Sequence, residues 1–130
     1  MMKASTFLMF NGKAEEAIRF YVDLFPDTTL TSLIHHPDGK GVYQGRFTLG
    51  GHDIICFDSP GKHGFTFTPA TSIFVECNSA AEVDRLSSAL LEGGTALMPL
   101  GSYPFAPRFA WIVDQFGISW QLILPPEPQA

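Results

Sequence analysis

Apolar residues recur along this chain at two spacings, and the switches between them outline its elements. Ser5-Thr6-Phe7-Leu8-Met9-Phe10 is a short run, apolar on both faces, and predicts a strand. Asn11 and Gly12 break it, with Asn11 the expected N-cap of a helix. From there Ala14, Ala17, Ile18, Tyr21, Leu24 and Phe25 recur at helical spacing, with Glu15, Glu16, Arg19 and Asp23 between them. The two glutamates fall in the first turn, where the helix dipole favours negative charge. Pro26 ends the helix. Strands are expected at 28–35, 43–49 and 53–57, separated by Pro37-Asp38-Gly39-Lys40-Gly41 and by Gly50-Gly51, both turn chemistry.

A Gly-, Pro- and His-rich stretch, 58–69, leads into a second half with the same plan. A strand is expected at 71–77. Ser79-Ala80-Ala81-Glu82 is a capping box, and Val83, Leu86, Leu90 and Leu91 form a helical face ended by Gly93 and Gly94. Strands at 95–100, 109–114 and 118–124 close the half, and Pro125-Pro126-Glu127-Pro128 is read as an extended, loose tail. One shift of 66 residues lays the first half on the second: Glu16 on Glu82, Ala17 on Val83, Phe20 on Leu86, Thr29 on Thr95, Phe47 on Val113 and Gly51 on Gly117. The expected fold is α+β, two βαβββ modules in one domain spanning 1–130. Module 1 runs from about 3 to 58, the linker from 59 to 69 and module 2 from about 70 to 125.

Composition narrows the function classes. With 45% hydrophobic and 16% charged residues, the 130-residue chain has the profile of a folded domain, not of a disordered one. A net charge of −5 and the lack of any basic run exclude nucleic acid as the main partner. No apolar stretch approaches the roughly 20 residues of a membrane helix. Met1-Met2-Lys3-Ala4-Ser5-Thr6 carries no signal-peptide pattern, so a soluble cytoplasmic protein is expected. Cys56 and Cys77 sit in apolar strand-like runs without CxxC spacing, and are read as buried free thiols. His35-His36 precedes a turn and His63 lies in the linker; all are read as solvated.

Two strings carry a resemblance. Phe10-Asn11-Gly12-Lys13-Ala14-Glu15-Glu16-Ala17, followed by Phe20-Tyr21 and Leu24-Phe25-Pro26, opens the chain, and Trp111-Ile112-Val113-Asp114-Gln115-Phe116-Gly117-Ile118-Ser119-Trp120-Gln121 closes it. With the paired βαβββ plan, they resemble the PhnB-like branch of the vicinal oxygen chelate superfamily, which includes glyoxalase I, extradiol dioxygenases and bleomycin-resistance proteins. That branch is often labelled 3-demethylubiquinone 3-methyltransferase-like. The resemblance implies the glyoxalase/bleomycin-resistance fold, a curled mixed sheet in which two half-funnels enclose a cleft, and a homodimer. It also implies metal ligands, usually His and Glu, on the first and last strand of each module. Under the 66-residue shift those positions are Thr6, Ile55, Ser72 and Gln121. Hydroxyls, an alkyl chain and an amide make a poor divalent-cation site, so no metal is expected.

Strand alternation supplies the remaining candidates. Phe47 and Leu49 take the core side of the third strand, leaving Gln44, Arg46 and Thr48 opposite. Ser72, Phe74 and Glu76 on the fifth strand, and Ser119, Gln121 and Ile123 on the last, are expected to face the cleft, with Thr6 and Leu8 on the first. Arg46 and Glu76 are its charged pair, either gripping a polar substrate or serving as acid and base, or else an ion pair at the cleft rim or a dimer edge. Segment 101–108, with Tyr103 and Arg108, is either a lid over the ligand or a dimer contact. Gly39-x-Gly41, Gly50-Gly51 and Gly93-Gly94 are not placed as a glycine-rich cofactor turn, so no cofactor is expected. The expected function is binding of a small-molecule ligand without the usual metal. The alternatives are a metal-independent acid–base enzyme or, by the family label, a methyltransferase-like or metal-dependent enzyme.

Overall fold

A computed structural model describes Met1 to Glu127. Of the expected tail, Pro128 lies outside the described residues. The order is β1 (Thr6–Phe10), α1 (Ala14–Leu24), β2 (Thr28–His35), β3 (Val42–Leu49), β4 (His52–Asp58), β5 (Ile73–Glu76), α2 (Ala80–Leu91), β6 (Thr95–Tyr103), β7 (Ala106–Val113) and β8 (Ser119–Leu124). This is α+β, with βαβββ given twice. Two compact units result, one from Met1 to Gly64 and one from Phe65 onward.

The first unit is a four-stranded sheet ordered β1-β4-β3-β2, with β1 parallel to β4 and the other pairs antiparallel. One face is covered by α1, whose Ala14, Ala17, Ile18 and Tyr21 are buried. Phe47, Ile54 and Cys56 on β3 and β4 are fully buried, and the Tyr21 and Phe47 rings lie 6.1 Å apart. Gly45 is where the helix comes closest: a Cβ there would collide with Ile18 Cδ1.

Helix α1 begins differently from expectation. Its N-cap position is Lys13, without a side-chain cap, and Asn11 plays no capping part. Instead the Asp58 carboxylate reaches over from the end of β4. Its Oδ1 accepts from Gly12 N (2.7 Å) and Ala14 N (3.1 Å), and its Oδ2 from Val42 N (2.8 Å). The charge sits where the helix dipole favours it.

The second unit repeats the order as β5-β8-β7-β6, with β5 parallel to β8. Val83, Leu86 and Leu90 of α2 are buried, as are Ile112, Trp120 and Leu122 on β7 and β8. The serine half of the capping box forms, Ser79 Oγ accepting from Glu82 N at 3.1 Å, while Glu82 Oε1 reaches one residue further back and accepts from Asn78 N at 2.9 Å. Asp114 closes the β7–β8 turn, accepting from Phe116 N, Ile118 N and Trp120 Nε1. Segment 101–108 is no separate loop. β6 runs on to Tyr103 and β7 starts at Ala106, so alternating side chains and ladder bonds make it a hairpin turning at Pro104-Phe105.

The two units do not superpose with one shift. Thr6 lies opposite Ile54 and Ile73 opposite Trp120, so the first strands correspond at a shift of 67, not 66. Phe47 lies opposite Ile54 and Ile112 opposite Trp120, so Phe47 answers to Ile112 and not to Val113. The 66 shift holds for the last strands and for Gly51 and Gly117, both at positive φ (85° and 91°). Turns one residue longer or shorter absorb the difference.

Candidate functional site

Each sheet has a second face, away from its helix, and the register fixes what that face presents. In the first unit Arg46 lies opposite Ile55, and Ile55 opposite Phe7, so these three stand side by side across β3, β4 and β1. One step along, Asp53 is only 5% exposed and gathers the polar groups around it. Its Oδ2 accepts from Ser5 Oγ (3.2 Å) and lies 3.4 Å from both Lys3 Nζ and Arg46 Nη1. The Phe7 and Phe57 rings lie 5.9 Å apart.

The second unit places Trp111, Gln121 and Phe74 side by side in the equivalent positions. One step along, Ser72 Oγ and Ser119 Oγ are 2.6 Å apart. Trp111 Nε1 donates to Ser119 Oγ at 2.8 Å, and Gln121 Nε2 to Ser72 Oγ at 3.3 Å. The two hydroxyls own two protons and share one between them, so the strip retains one hydroxyl proton and the Gln121 carbonyl for a further partner. Beside it Ala106, Phe109 and Ile123 form a buried apolar cluster, with Met98, Tyr103 and Trp111 packed against it.

The register sorts the sequence candidates. Arg46, Ile55, Ser72, Phe74, Glu76 and Gln121 stand on the faces away from the helices. Thr6 and Leu8 do not: they lie opposite Ile54 and Cys56 on the α1 side, and Thr6 Oγ1 bonds His52 Nε2 at 2.8 Å. The cause is the one-residue difference in shift, since a slip of one residue reverses the face of every side chain on a strand. The partner of Ser72 is Ser5. Arg108 is also turned to the helix side, its Nε 2.7 Å from Asp84 Oδ1 on α2. Tyr103 donates its hydroxyl to Pro99 O at 2.6 Å and stacks on Phe105. Glu76 is exposed at the end of β5, whereas the ion-pair partner of Arg46 is Asp53. Lys3, Ser5, Asp53 and Trp111 were passed over. Stepping back two residues from Ile55 would have found Asp53.

The histidines are more tied than expected. His35 Nε2 lies 2.6 Å from Glu15 Oε1, and that bond, with Arg19, holds the Glu15 carboxyl below the ordinary range. His36 Nε2 bonds Asp58 O at 2.8 Å, with its ring edge-on to Tyr43 and Phe57. Both cysteines are free and buried. Burial pushes the Cys56 thiol up to about 12 and the Cys77 thiol up to about 11.

The donor chemistry does not fit a divalent cation. Of the expected positions, Ile55 and Gln121 offer one amide oxygen between them, Thr6 is turned to the α1 side, and Ser72 and its counterpart Ser5 are hydroxyls bonded within their own units. Among the described residues no group of three or more His, Cys, Asp or Glu stands together. Nor, among them, is any helix long and apolar enough to cross a membrane.

Paired βαβββ modules with mixed sheets define the glyoxalase/bleomycin-resistance class. A glyoxylase/bleomycin resistance protein/dioxygenase domain from Frankia shares the fold, with a TM-score of 0.69 at 16% identity over 99% of this chain and 96% of that one. Within the class, the chain belongs to the family described as 3-demethylubiquinone-9 3-methyltransferase, whose model matches residues 2–123. A PhnB protein of Bacillus cereus carrying that family name is 44% identical, over 95% of this chain and 99% of its own, with a TM-score of 0.90. A protein from Pseudomonas aeruginosa is 25% identical over 98% and 100%, with a TM-score of 0.85. No curated protein matches the chain.

Proposed function

We propose that this protein binds a small organic molecule on the helix-free faces of its sheets, without the metal ligands usual in the superfamily. The observation that carries this is the strip Ser72–Ser119–Trp111–Gln121. It is a half-buried set of neutral groups with one proton and one carbonyl to spare, set beside aromatic surface. Ligand sites are built this way, mostly apolar with a few placed polar groups. The test is a thermal-shift screen of neutral and charged aromatic compounds. Hits should weaken at least tenfold with Gln121→Leu or Trp111→Phe, and a screen in which no compound raises Tm contradicts the reading.

The methyltransferase name of the family asks for a cofactor cradle at a strand-to-helix turn. Here those turns are filled from within. Asp58 takes Gly12 N and Ala14 N before α1, and Ser79 and Glu82 take the donors before α2. The residues do not fit S-adenosylmethionine held in that manner. An acid–base role for Arg46 is disfavoured by its pairing with Asp53 and by a guanidinium's reluctance to lose a proton. Exposed Leu97, Leu100 and Phe105 on β6 and the β6–β7 turn support pairing of two copies.

A further inference from the structure

The first unit holds a polar group that its own structure leaves unsatisfied. Among the described residues, Arg46 Nε is the one buried side-chain nitrogen or oxygen without a hydrogen-bond partner. The rest of the guanidinium does little better, with Nη1 3.4 Å from Asp53 Oδ2. That oxygen is shared with Lys3 Nζ and the Ser5 hydroxyl. Two cations thus stand around one carboxylate, and the cluster carries one positive charge in excess. The side chain is 34% exposed, so the outer nitrogens are open to a ligand, and the acceptor that suits a guanidinium's planar fork best is a second carboxylate. Beside Arg46 on the same face lie Ile55 and then Phe7, which is 58% exposed. Strand spacing sets the row from Arg46 to Phe7 at about 10 Å.

We infer that this row binds an amphipathic monoanion, an aryl or alkyl carboxylate whose charged end pairs with the outer nitrogens of the Arg46 guanidinium and whose apolar body covers Ile55 and Phe7. The assignment rests on the small-molecule reading above and adds the ligand's charge and place. Phosphate esters suit it less well, since a dianion exceeds the single spare charge.

The probe is phenylacetate, compared with its neutral isostere phenylacetamide, in titrations of the ¹⁵N-labelled protein followed by NMR. Phenylacetate should move the amides of Phe7, Arg46 and Ile55 and bind at least tenfold more tightly than the amide. Arg46→Gln should remove that preference, so that acid and amide bind with equal affinity. Arg46→Lys, which keeps the charge but not the planar fork, should lose about half of the preference on a logarithmic scale. Phe7→Ala should weaken both probes alike. Equal affinity for acid and amide in the native protein needs no variant and overturns the inference, as does an Arg46→Gln protein that keeps its preference. If neither probe moves these resonances, the inference is again overturned. The broader reading then stands or falls separately on the screen and the Gln121 and Trp111 variants.

Discussion

The same place in the two modules is charged in one and neutral in the other. Ser5, Asp53, Arg46 and Ile55 in the first answer to Ser72, Ser119, Trp111 and Gln121 in the second, strand for strand. Each set uses the serine just before its first strand, bonded to the neighbouring last strand through a carboxylate in one case and a hydroxyl in the other. The helix-facing side differs in the opposite sense. Ile18 packs over Gly45 in the first module, while Asp84 and Arg108 form an ion pair in the second. A repeated backbone plan therefore fixes where polar groups meet, not which chemistry they bring.

The helix entries offer the largest contrast. Asp58→Ala strands three backbone donors, two of them leading into α1, and should lower stability by about 3–5 kcal/mol in urea unfolding. Ser79→Ala removes only a local cap and should cost about 1 kcal/mol. Equal losses would mean that α1 does not depend on its distant carboxylate. Next comes packing under the helices. Gly45→Ala forces Ile18 aside and should cost about 1–3 kcal/mol. Its counterpart Ala110→Gly, which only loosens a strand, should cost about 1 kcal/mol or less.

Smaller effects separate the modules by titration. With its thiol raised to about 12, Cys56 should react with a disulfide reagent at pH 8 more slowly than Cys77, raised to about 11. Both should become equally reactive on unfolding, and a faster Cys56 would contradict the depth assigned to β4. Glu15 has a folded pKa held down by His35 first and Arg19 second, so its stabilisation is present above the ordinary carboxylate range. It is lost as pH falls through the depressed folded value. The Tm gap between the native protein and Glu15→Gln should accordingly be small at pH 7 and close on acidification.

Most of the architecture was legible in the sequence because periodicity and turn chemistry act locally. Pro26, Gly50-Gly51 and the Ser79–Glu82 box each mark a boundary within a residue or two of where the structure has it. Segment 101–108 reads as loop because of two prolines, a glycine and a serine, yet β6 continues through Gly101 and Ser102 and β7 includes Pro107, leaving only Pro104-Phe105 as the turn. The faces of β3, β5 and β8 follow from alternation alone. Thr6 and Leu8 went to the wrong face because a constant shift was carried across turns of unequal length, and on a strand one residue is enough to reverse the side. The Asp58 contacts and the Arg46–Asp53 pair join residues far apart in sequence or across a hairpin, and no local pattern announces them.

The claim that equivalent positions are charged in one module and neutral in the other is tested most directly by two double-mutant cycles. One uses Arg46→Met with Asp53→Asn, the other Trp111→Phe with Ser119→Ala. At low salt each pair should show a coupling of about 1 kcal/mol in urea unfolding. At about 1 M NaCl the Arg46–Asp53 coupling should fall by at least half, because screening acts on charges, while the Trp111–Ser119 coupling stays unchanged. Couplings that respond to salt alike, or an Arg46–Asp53 pair with none, would contradict the account.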